Sequence, residues 1–430
     1  MLVSFRRRGR RVASAVGTIR AAFALLIACA PGVAHANERL RLTLDQAQAF
    51  AISSNPGLRK AGADLDAAQA AADEARAPLP ANPLLTGDLG SRRAEGQAGH
   101  DWSIGIAQEI EIGGQPRLRR EAFALALDAS RQSVEESRRA LAAEVERRFL
   151  RVLSLQLRRQ VESEAMALVE QSTELVRKRH AAGEGTRLDT NLAEVEAGRF
   201  RNQVAQLGEQ LAEARAALAQ LLQLVPGAVP EAIGELAAKP VPALSDALVE
   251  GVAARPMLRS LSLREQTALR RLDLERASRT PNLTVGITTG QEAVGIASES
   301  VTTLSVSVPL PLFKRNQAAI AQAASDLVRA QADYQAGLRD ARADVRALWS
   351  RVQSLERRAS MLEKDILPRL EENLRLSRKA LAAGETTLPE ILLVNRQAMD
   401  TRRDIHETLL EHELARIDLL QAAGLTGTRP

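Results

Sequence analysis

The sequence predicts a mainly α protein with a small membrane β part: duplicated long coiled-coil hairpins plus four β-strands per chain. Three observations predict it. The composition is that of long packed helices, with aromatic residues at only 2 % and an apolar share made mostly of Ala and Leu beside abundant Arg, Glu and Gln. The chain is written twice at a spacing near 200 residues. Each copy contains a pair of runs that alternate apolar with polar residues.

The first element is a leader. Arg6 to Arg11 are basic, Ala21 to Ala30 form an apolar stretch too short to cross a bilayer, and Ala34-His35-Ala36 has the A-x-A pattern of a signal-peptidase site. Residues 1–36 are therefore expected to be a secretory signal. Leu26-Ile27-Ala28-Cys29 also fits a lipobox, which would make Cys29 a lipidated N-terminus. The formal charge of +5 belongs to this segment, because 52 basic residues face 53 acidic ones after it. A balance of that kind excludes a nucleic-acid-binding surface. The single cysteine excludes a disulfide framework and a cysteine metal site. No later stretch is apolar for long enough to form a transmembrane helix, so an exported chain that crosses a membrane must use strands.

The repeat sets the domain plan. At a shift of 200, Asn55-Pro56-Gly57-Leu58-Arg59 falls on Arg255-Pro256-Met257-Leu258-Arg259, and Ile110-Glu111-Ile112 falls on Leu310-Pro311-Leu312. At 201, Ala181-Ala182-Gly183-Glu184-Gly185-Thr186 falls on Ala382-Ala383-Gly384-Glu385-Thr386-Thr387. Residues 37–225 form the first repeat, 226–243 a Pro-rich linker and 244–430 the second repeat.

In each repeat a first helix opens the unit, running in the first from Thr43, where Thr43-Leu44-Asp45-Gln46 is a capping box, to Arg76. Two strands follow, Leu84 to Gly90 and Trp102 to Ile110, separated by a polar loop from Ser91 to Asp101. A long helix begins at Pro116 and continues to His180, the tip Ala181 to Gly185 turns the chain, and a return helix runs to Val225. Val161, Ala165, Leu168, Ser172 and Leu175 recur at coiled-coil spacing, as do Leu207, Leu211, Ala214, Leu218, Leu221 and Val225. The long arm matches the first and return helices laid end to end, so those two should stack along it. Pro368 should kink or restart the second long arm.

The strands carry the membrane argument. Trp102, Ile104, Ile106 and Ile110 share a face opposite Ser103, Gly105, Ala107 and Glu109. Leu283, Val285 and Ile287, and later Leu304, Val306, Val308 and Leu310, repeat the pattern, with a second polar loop from Gly290 to Ser300. An apolar outer face with a wet inner one suits a membrane barrel, although a soluble β-domain could use the same hairpins. Four strands cannot close such a barrel, so copies must pool them; three copies give twelve.

These residues together resemble the TolC-type outer-membrane efflux family over nearly all the chain after the leader. The tips Gly183-Glu184-Gly185-Thr186-Arg187-Leu188-Asp189 and Gly384-Glu385-Thr386-Thr387-Leu388-Pro389-Glu390 are similar to its G-x-x-[ST]-x-x-[DE] turn. The segments 108–114 and 308–317 resemble the cobalt–zinc–cadmium (CzcC-like) heavy-metal branch. The resemblance implies a homotrimer with a twelve-stranded barrel in outer-membrane lipid and a periplasmic α-helical tunnel. It implies tip-first docking on a periplasmic adaptor and an inner-membrane pump of the resistance–nodulation–division type, with no catalysis and no cofactor. By position, Gly183, Thr186, Gly384 and Thr387 would shape the docking tips. Asp189 and Glu390 would set carboxylates around the tunnel entrance, where a ring of acids favours cations. Thr186 with Asp189 could equally be a helix cap with a first-turn acid.

Enzyme chemistry has no support. His406 and His412, six positions apart, point to opposite sides of a helix and cannot chelate one ion together; no metalloprotease, P-loop or dinucleotide motif occurs. The expected function is a passive exit duct of a tripartite efflux system for divalent heavy-metal cations. A duct for drugs or type I protein secretion, and a periplasmic coiled-coil adaptor without a pore, are the alternatives.

Overall fold

The computed structural model describes residues 39–425 apart from 95–96, 295–296 and 384–386. The expected leader with Cys29, and Gly384 of the second tip, lie outside the described residues.

Strand β1 (Arg39–Leu42) leads into α1 (Leu44–Ser54), whose start is fixed by reciprocal bonds: Thr43 N donates to Gln46 Oε1 at 3.0 Å, and Gln46 N donates to Thr43 Oγ1 at 3.4 Å. Helix α2 (Pro56–Glu74) follows, then strands β2 (Leu84–Ala94) and β3 (Gln97–Ile110). Helix α3 (Gln115–Ala181) has 67 residues and so extends about 100 Å. Helix α4 (Arg187–Leu221) returns along it and ends before β4 (Val229–Ala232).

The second half repeats the order. A short α5 (Asp246–Glu250) and a 3-10 turn precede α6 (Pro256–Ala277), then β5 (Leu283–Val294) and β6 (Ala297–Ser307). The long arm is α7 (Gln317–Met361), a π-helical stretch Leu362–Ile366, and α8 (Leu367–Ala383); α9 (Leu388–Ala422) returns. Proline clashes with the carbonyl four residues earlier, and the widened turn directly before Pro368 relieves that clash without ending the arm.

The return and first helices stack end to end. Ser54 Oγ, at the end of α1, donates to Leu222 O just past α4 (3.1 Å), while Arg148 of α3 donates to Ala217 O (2.8 Å). In the second half, Gly424 beyond α9 lies against Arg255 at the start of α6. The core runs where these ends meet. Leu150, Val152 and Leu153 of α3 pack on Leu211 and Leu218 of α4, Ala47 of α1 and Ile417 of α9. Val345 and Val352 of α7 pack on Leu258 and Leu419 in the equivalent place. Truncating Leu218 to alanine in such packing costs about 2–5 kcal/mol.

The halves are joined by α3 lying on α6 as well as on α2, and by α9 reaching α3. Repetition would place α7 on α2 in the same way, but no comparable packing of α7 on α2 occurs among the described residues.

Four strands form one antiparallel sheet in the order β2-β3-β5-β6. Its register sets Leu85 beside Ile106, Ile106 beside Ile287, and Ile287 beside Leu304. Leu89, Trp102, Ile104, Val285 and Val306 share their face by the period of two. Thr86, Asp88, Ser103, Gly105, Gly286, Thr288, Thr303 and Ser305 occupy the other. The outer edges of β2 and β6 are unpaired among the described residues.

Several expectations need correction. The first helix is two, because Asn55 leaves the helical region, caps Gly57 N (2.7 Å) and Leu58 N (3.3 Å), and is followed by Pro56 at a first-turn position. The segments expected as polar loops are mostly strand, since the β2–β3 and β5–β6 ladders continue to Ala94–Gln97 and Val294–Ala297. Backbone pairing tolerates their polar residues because the ladder bonds run between main-chain groups. The stretch 226–243 contains β4, which pairs in parallel with β1; Pro230 masked that strand. The buried stripe of α3 toward α4 is Ala165, Val169 and Thr173, while Leu168 and Leu175 remain 52 % and 50 % exposed. Their heptad spacing marks a different face, which borders the second hairpin. Val225 lies beyond the end of α4 and is exposed.

Candidate functional site

At the first tip, α3 ends in Lys178 and Arg179, cations that suit the negative end of its dipole, followed by His180. Gly183 takes a left-handed φ of 79°, its N–H donates to His180 O (3.0 Å), and Glu184 N donates to Arg179 O (2.9 Å). This double closure satisfies the last carbonyls and reverses the chain within a few residues. Thr186 then starts α4. Its N–H donates to Asp189 Oδ2 (3.3 Å), its hydroxyl donates to the same oxygen (2.6 Å), and Asp189 N donates to Thr186 Oγ1 (3.1 Å). Asp189 thus closes a capping box, with its charge at the positive end of α4. At the second tip, Thr387 N donates to Glu390 Oε2 at 3.1 Å.

The two hairpins border a cleft of about 570 Å³. Leu168, Leu175, Ile391 and Met399 give it apolar walls, and Arg179, Glu184, Asp189, Thr387 and Arg402 line its polar parts. The structure therefore brings Thr387 of the second tip and Asp189 of the first to one cleft; Glu390 does not line it.

Above the tips the halves are tied by charge pairs that sequence reasoning missed. Arg147 reaches Asp418 at 2.9 Å, Arg158 reaches Glu407 at 2.7 Å, and Arg416 reaches Glu146 at 2.7 Å. Glu413, fully buried, accepts from Arg416 Nε (2.8 Å) and from Lys239 N (2.8 Å), which pins the interrepeat segment to α9. His412 is also buried, with Nδ1 3.2 Å from Glu413 Oε1. His406 Nδ1 is buried without a hydrogen-bond partner. Burial and, next, Arg158 push the His406 imidazole below its ordinary pKa, against a smaller upward pull from Glu162. Pairs 249 to 271 residues apart leave no signature in local spacing. Among the described residues no cluster of three or more His, Cys, Asp or Glu could hold a metal ion.

The sheet is the second functional surface. Its apolar face leaves Leu85, Leu89 and Leu304 largely bare, and Trp102 donates its indole N–H to Gln291 Oε1 (3.2 Å) along that face. The opposite face carries Ser103 bonded to Asp88 (3.0 Å). Strands of 11 to 14 residues are long enough to cross a bilayer when tilted. Among the described residues no helix is long and apolar enough to do so.

Long duplicated hairpins carrying a sheet with one lipid-ready face define a class: envelope proteins that enter a membrane by strands. The profile of the family described as outer membrane efflux protein matches residues 50–223 and 248–425. The chain belongs to that family, and it is an outer-membrane efflux channel of the TolC type whose helices extend into the periplasm. It is 24 % identical over 362 residues to the cobalt-zinc-cadmium resistance protein CzcC of Cupriavidus metallidurans, covering 84 % of this chain and 85 % of that protein. It is 23 % identical over 404 residues to the pyoverdine export outer membrane protein OpmQ of Pseudomonas putida, covering 88 % and 84 %. The fold is similar to that of CusC, with a TM-score of 0.75 at 21 % identity, covering 89 % of this chain and 92 % of that one. The open-state MtrE channel of Neisseria gonorrhoeae matches with a TM-score of 0.75 at 18 % identity, covering 89 % of each chain. The family is one of channels, not enzymes.

Proposed function

We propose that the chain is the exit duct of a tripartite efflux assembly and that it exports divalent heavy-metal cations as a homotrimer. The observation that carries the trimer is incompleteness. Among the described residues the four-stranded sheet has two open edges, and the packing of α3 on α6 lacks its repeat-related counterpart, α7 on α2. Placing α7 of one copy on α2 of the next supplies that counterpart, and such a head-to-tail contact closes a ring. Three copies then pool twelve strands, with the polar sheet face inward and the helical arms as a tunnel beneath.

In that ring the tips Gly183, Thr186, Gly384 and Thr387 are the docking surface for a periplasmic adaptor, which couples the duct to an inner-membrane pump of the resistance–nodulation–division type. Asp189 and Glu390 contribute six carboxylates to the narrow end, a field that favours cations. No step here is chemical; the pump supplies the energy.

Likeness to a cobalt-zinc-cadmium resistance protein supports the metal substrate. Likeness to a pyoverdine export protein supports a second reading, an organic solute. Deleting the gene and growing cells on cobalt, zinc and cadmium salts separates the two. The metal reading expects sensitivity that a plasmid copy restores; unchanged tolerance to all three salts would overturn it.

A further inference from the structure

Between β6 and α7 the second half carries a segment that the first half does not match. Ile110 and Gln115 are five positions apart, whereas their counterparts Leu310 and Gln317 are seven apart. The shorter junction is largely folded in, although Ile112 stays 56 % exposed. Glu111 is buried and paired with Arg119, Gly113 N donates to Gln115 Oε1 (2.7 Å), and Gln115 itself is buried. The longer one, Val308-Pro309-Leu310-Pro311-Leu312-Phe313-Lys314-Arg315, stands out from the fold.

Its apolar residues continue the sequence pattern of the sheet. In the sequence the alternation of Leu304 and Val306 runs on into Val308 and Leu310; the ladder stops at Ser307, and Leu312 N donates to Leu310 O (2.9 Å), which bends the chain there. Leu310, Leu312 and Phe313 are 76 %, 64 % and 91 % exposed. Pro309 and Pro311 lack backbone N–H groups, which removes two donors that an apolar medium would leave unsatisfied. Lys314 and Arg315 follow at once, and neither enters an ion pair among the described residues; Arg315 Nε donates to Pro311 O (3.2 Å). Behind them, Asn316 Nδ2 donates to Glu275 O (2.9 Å) and Glu275 Oε2 (2.6 Å), which fixes the segment to α6.

We propose that residues 308–315 anchor the channel in the periplasmic leaflet of the outer membrane. Leu310, Leu312 and Phe313 enter the boundary between acyl chains and headgroups, and Lys314 and Arg315 bind the phosphates of anionic glycerophospholipids. Two features select lipid as the occupant. The apolar run is continuous in sequence with the sheet face assigned to hydrocarbon, and the cations lie at the helical, periplasmic end of that run. The proposal rests on the sheet spanning the bilayer.

The test uses the full-length channel in vesicles of phosphatidylethanolamine and phosphatidylglycerol, with phospholipids brominated on the upper acyl chain as quenchers. Phe313→Trp reports the segment and Leu304→Trp reports the sheet, each against the native Trp102 and Trp349 background. The added emission of Phe313→Trp should be blue-shifted and lose about half its intensity or more to the brominated lipid. Quenching by aqueous iodide instead, or shielding from both quenchers as expected against a neighbouring copy, would overturn the anchor. Quenching of Leu304→Trp by brominated lipid in the same vesicles would leave the spanning sheet intact, and its absence would overturn both. Replacing Lys314 and Arg315 with Gln should lower the phosphatidylglycerol retained by the detergent-purified channel about tenfold; unchanged retention would overturn the headgroup contact.

Discussion

Asp189 closes the cap of α4 with one carboxylate oxygen and, in the proposed ring, adds charge to the narrow end of the duct. Asp189→Asn separates the two roles, because an amide oxygen can still accept from Thr186 N while the charge is gone. With Glu390→Gln in the same chain, cation-over-anion permeability in planar bilayers should fall several-fold with the trimer intact. Unchanged selectivity would leave these acids as caps alone. A second residue-scale prediction concerns Gln223. The chain closes α4 through Gln223 N to Gln220 O (3.1 Å) and Leu224 N to Ala219 O (3.0 Å), with Gln223 at a φ of 54°. Its counterpart after α9 is Gly424, at a φ of 79° with the same two closures. A side chain in the left-handed region costs about 1 kcal/mol, partly offset by the freedom glycine adds to the unfolded chain. Gln223→Gly should therefore slow hydrogen exchange in the last turn of α4 by about threefold; faster exchange would refute the strain.

At the scale of elements, strands and helices were legible in the sequence to different degrees for physical reasons. The apolar runs around Ile104, Ile287 and Leu304 follow a period of two, and the ladder register places all of them on one face. The hairpin tips were legible because Gly183 and Thr186 serve local geometry. Helix partners were not, because Ala-rich arms carry apolar residues on more than one face. Leu168 and Ala165 both fit a heptad, yet only Ala165 is buried against α4. The α3–α9 seam was invisible for the further reason that its charges pair across the repeat. His406 gives that seam a pH dependence. Arg158, Glu162 and Glu164 face it from α3, and Arg402 lies on its own helix. Its imidazole protonates below the ordinary range when folded, whereas an unfolded histidine protonates near pH 6.5. The unfolded state then binds more protons in the window between those values. Stability is retained above about pH 6.5 and declines as pH falls toward the depressed folded value. Exchange of the α9 amides near His406, corrected for intrinsic rates, should speed up from about pH 7.5 to about 5.5, and His406→Gln should flatten the change. A flat profile in the unaltered chain would exclude the effect.

For the whole molecule, the repeat predicts contacts that one chain cannot make. Inside the chain, Ser133 of α3 and Ser260 of α6 touch through their hydroxyls at 3.0 Å. The shift of 200 that sets Pro56 on Pro256 and Arg151-Val152 on Arg351-Val352 carries Ser260 onto Lys60 of α2 and Ser133 onto Asp333 of α7. Lys60 and Asp333 are both exposed in the single chain. In a closed ring, Asp333 of each copy faces Lys60 of the next, as Ser133 faces Ser260 within a copy. Cys29 is the sole native cysteine and falls in the expected leader, so cysteines introduced at these two positions report on that contact alone. The double variant Lys60→Cys with Asp333→Cys, oxidised in outer membranes and run without reductant, should give covalent dimers and a band that stops at the trimer. Each single variant should remain monomeric. A ladder beyond three would mean that the head-to-tail contact forms without closing. A monomer band alone would mean that α2 and α7 meet no second copy, and the pooled barrel would then lose its support.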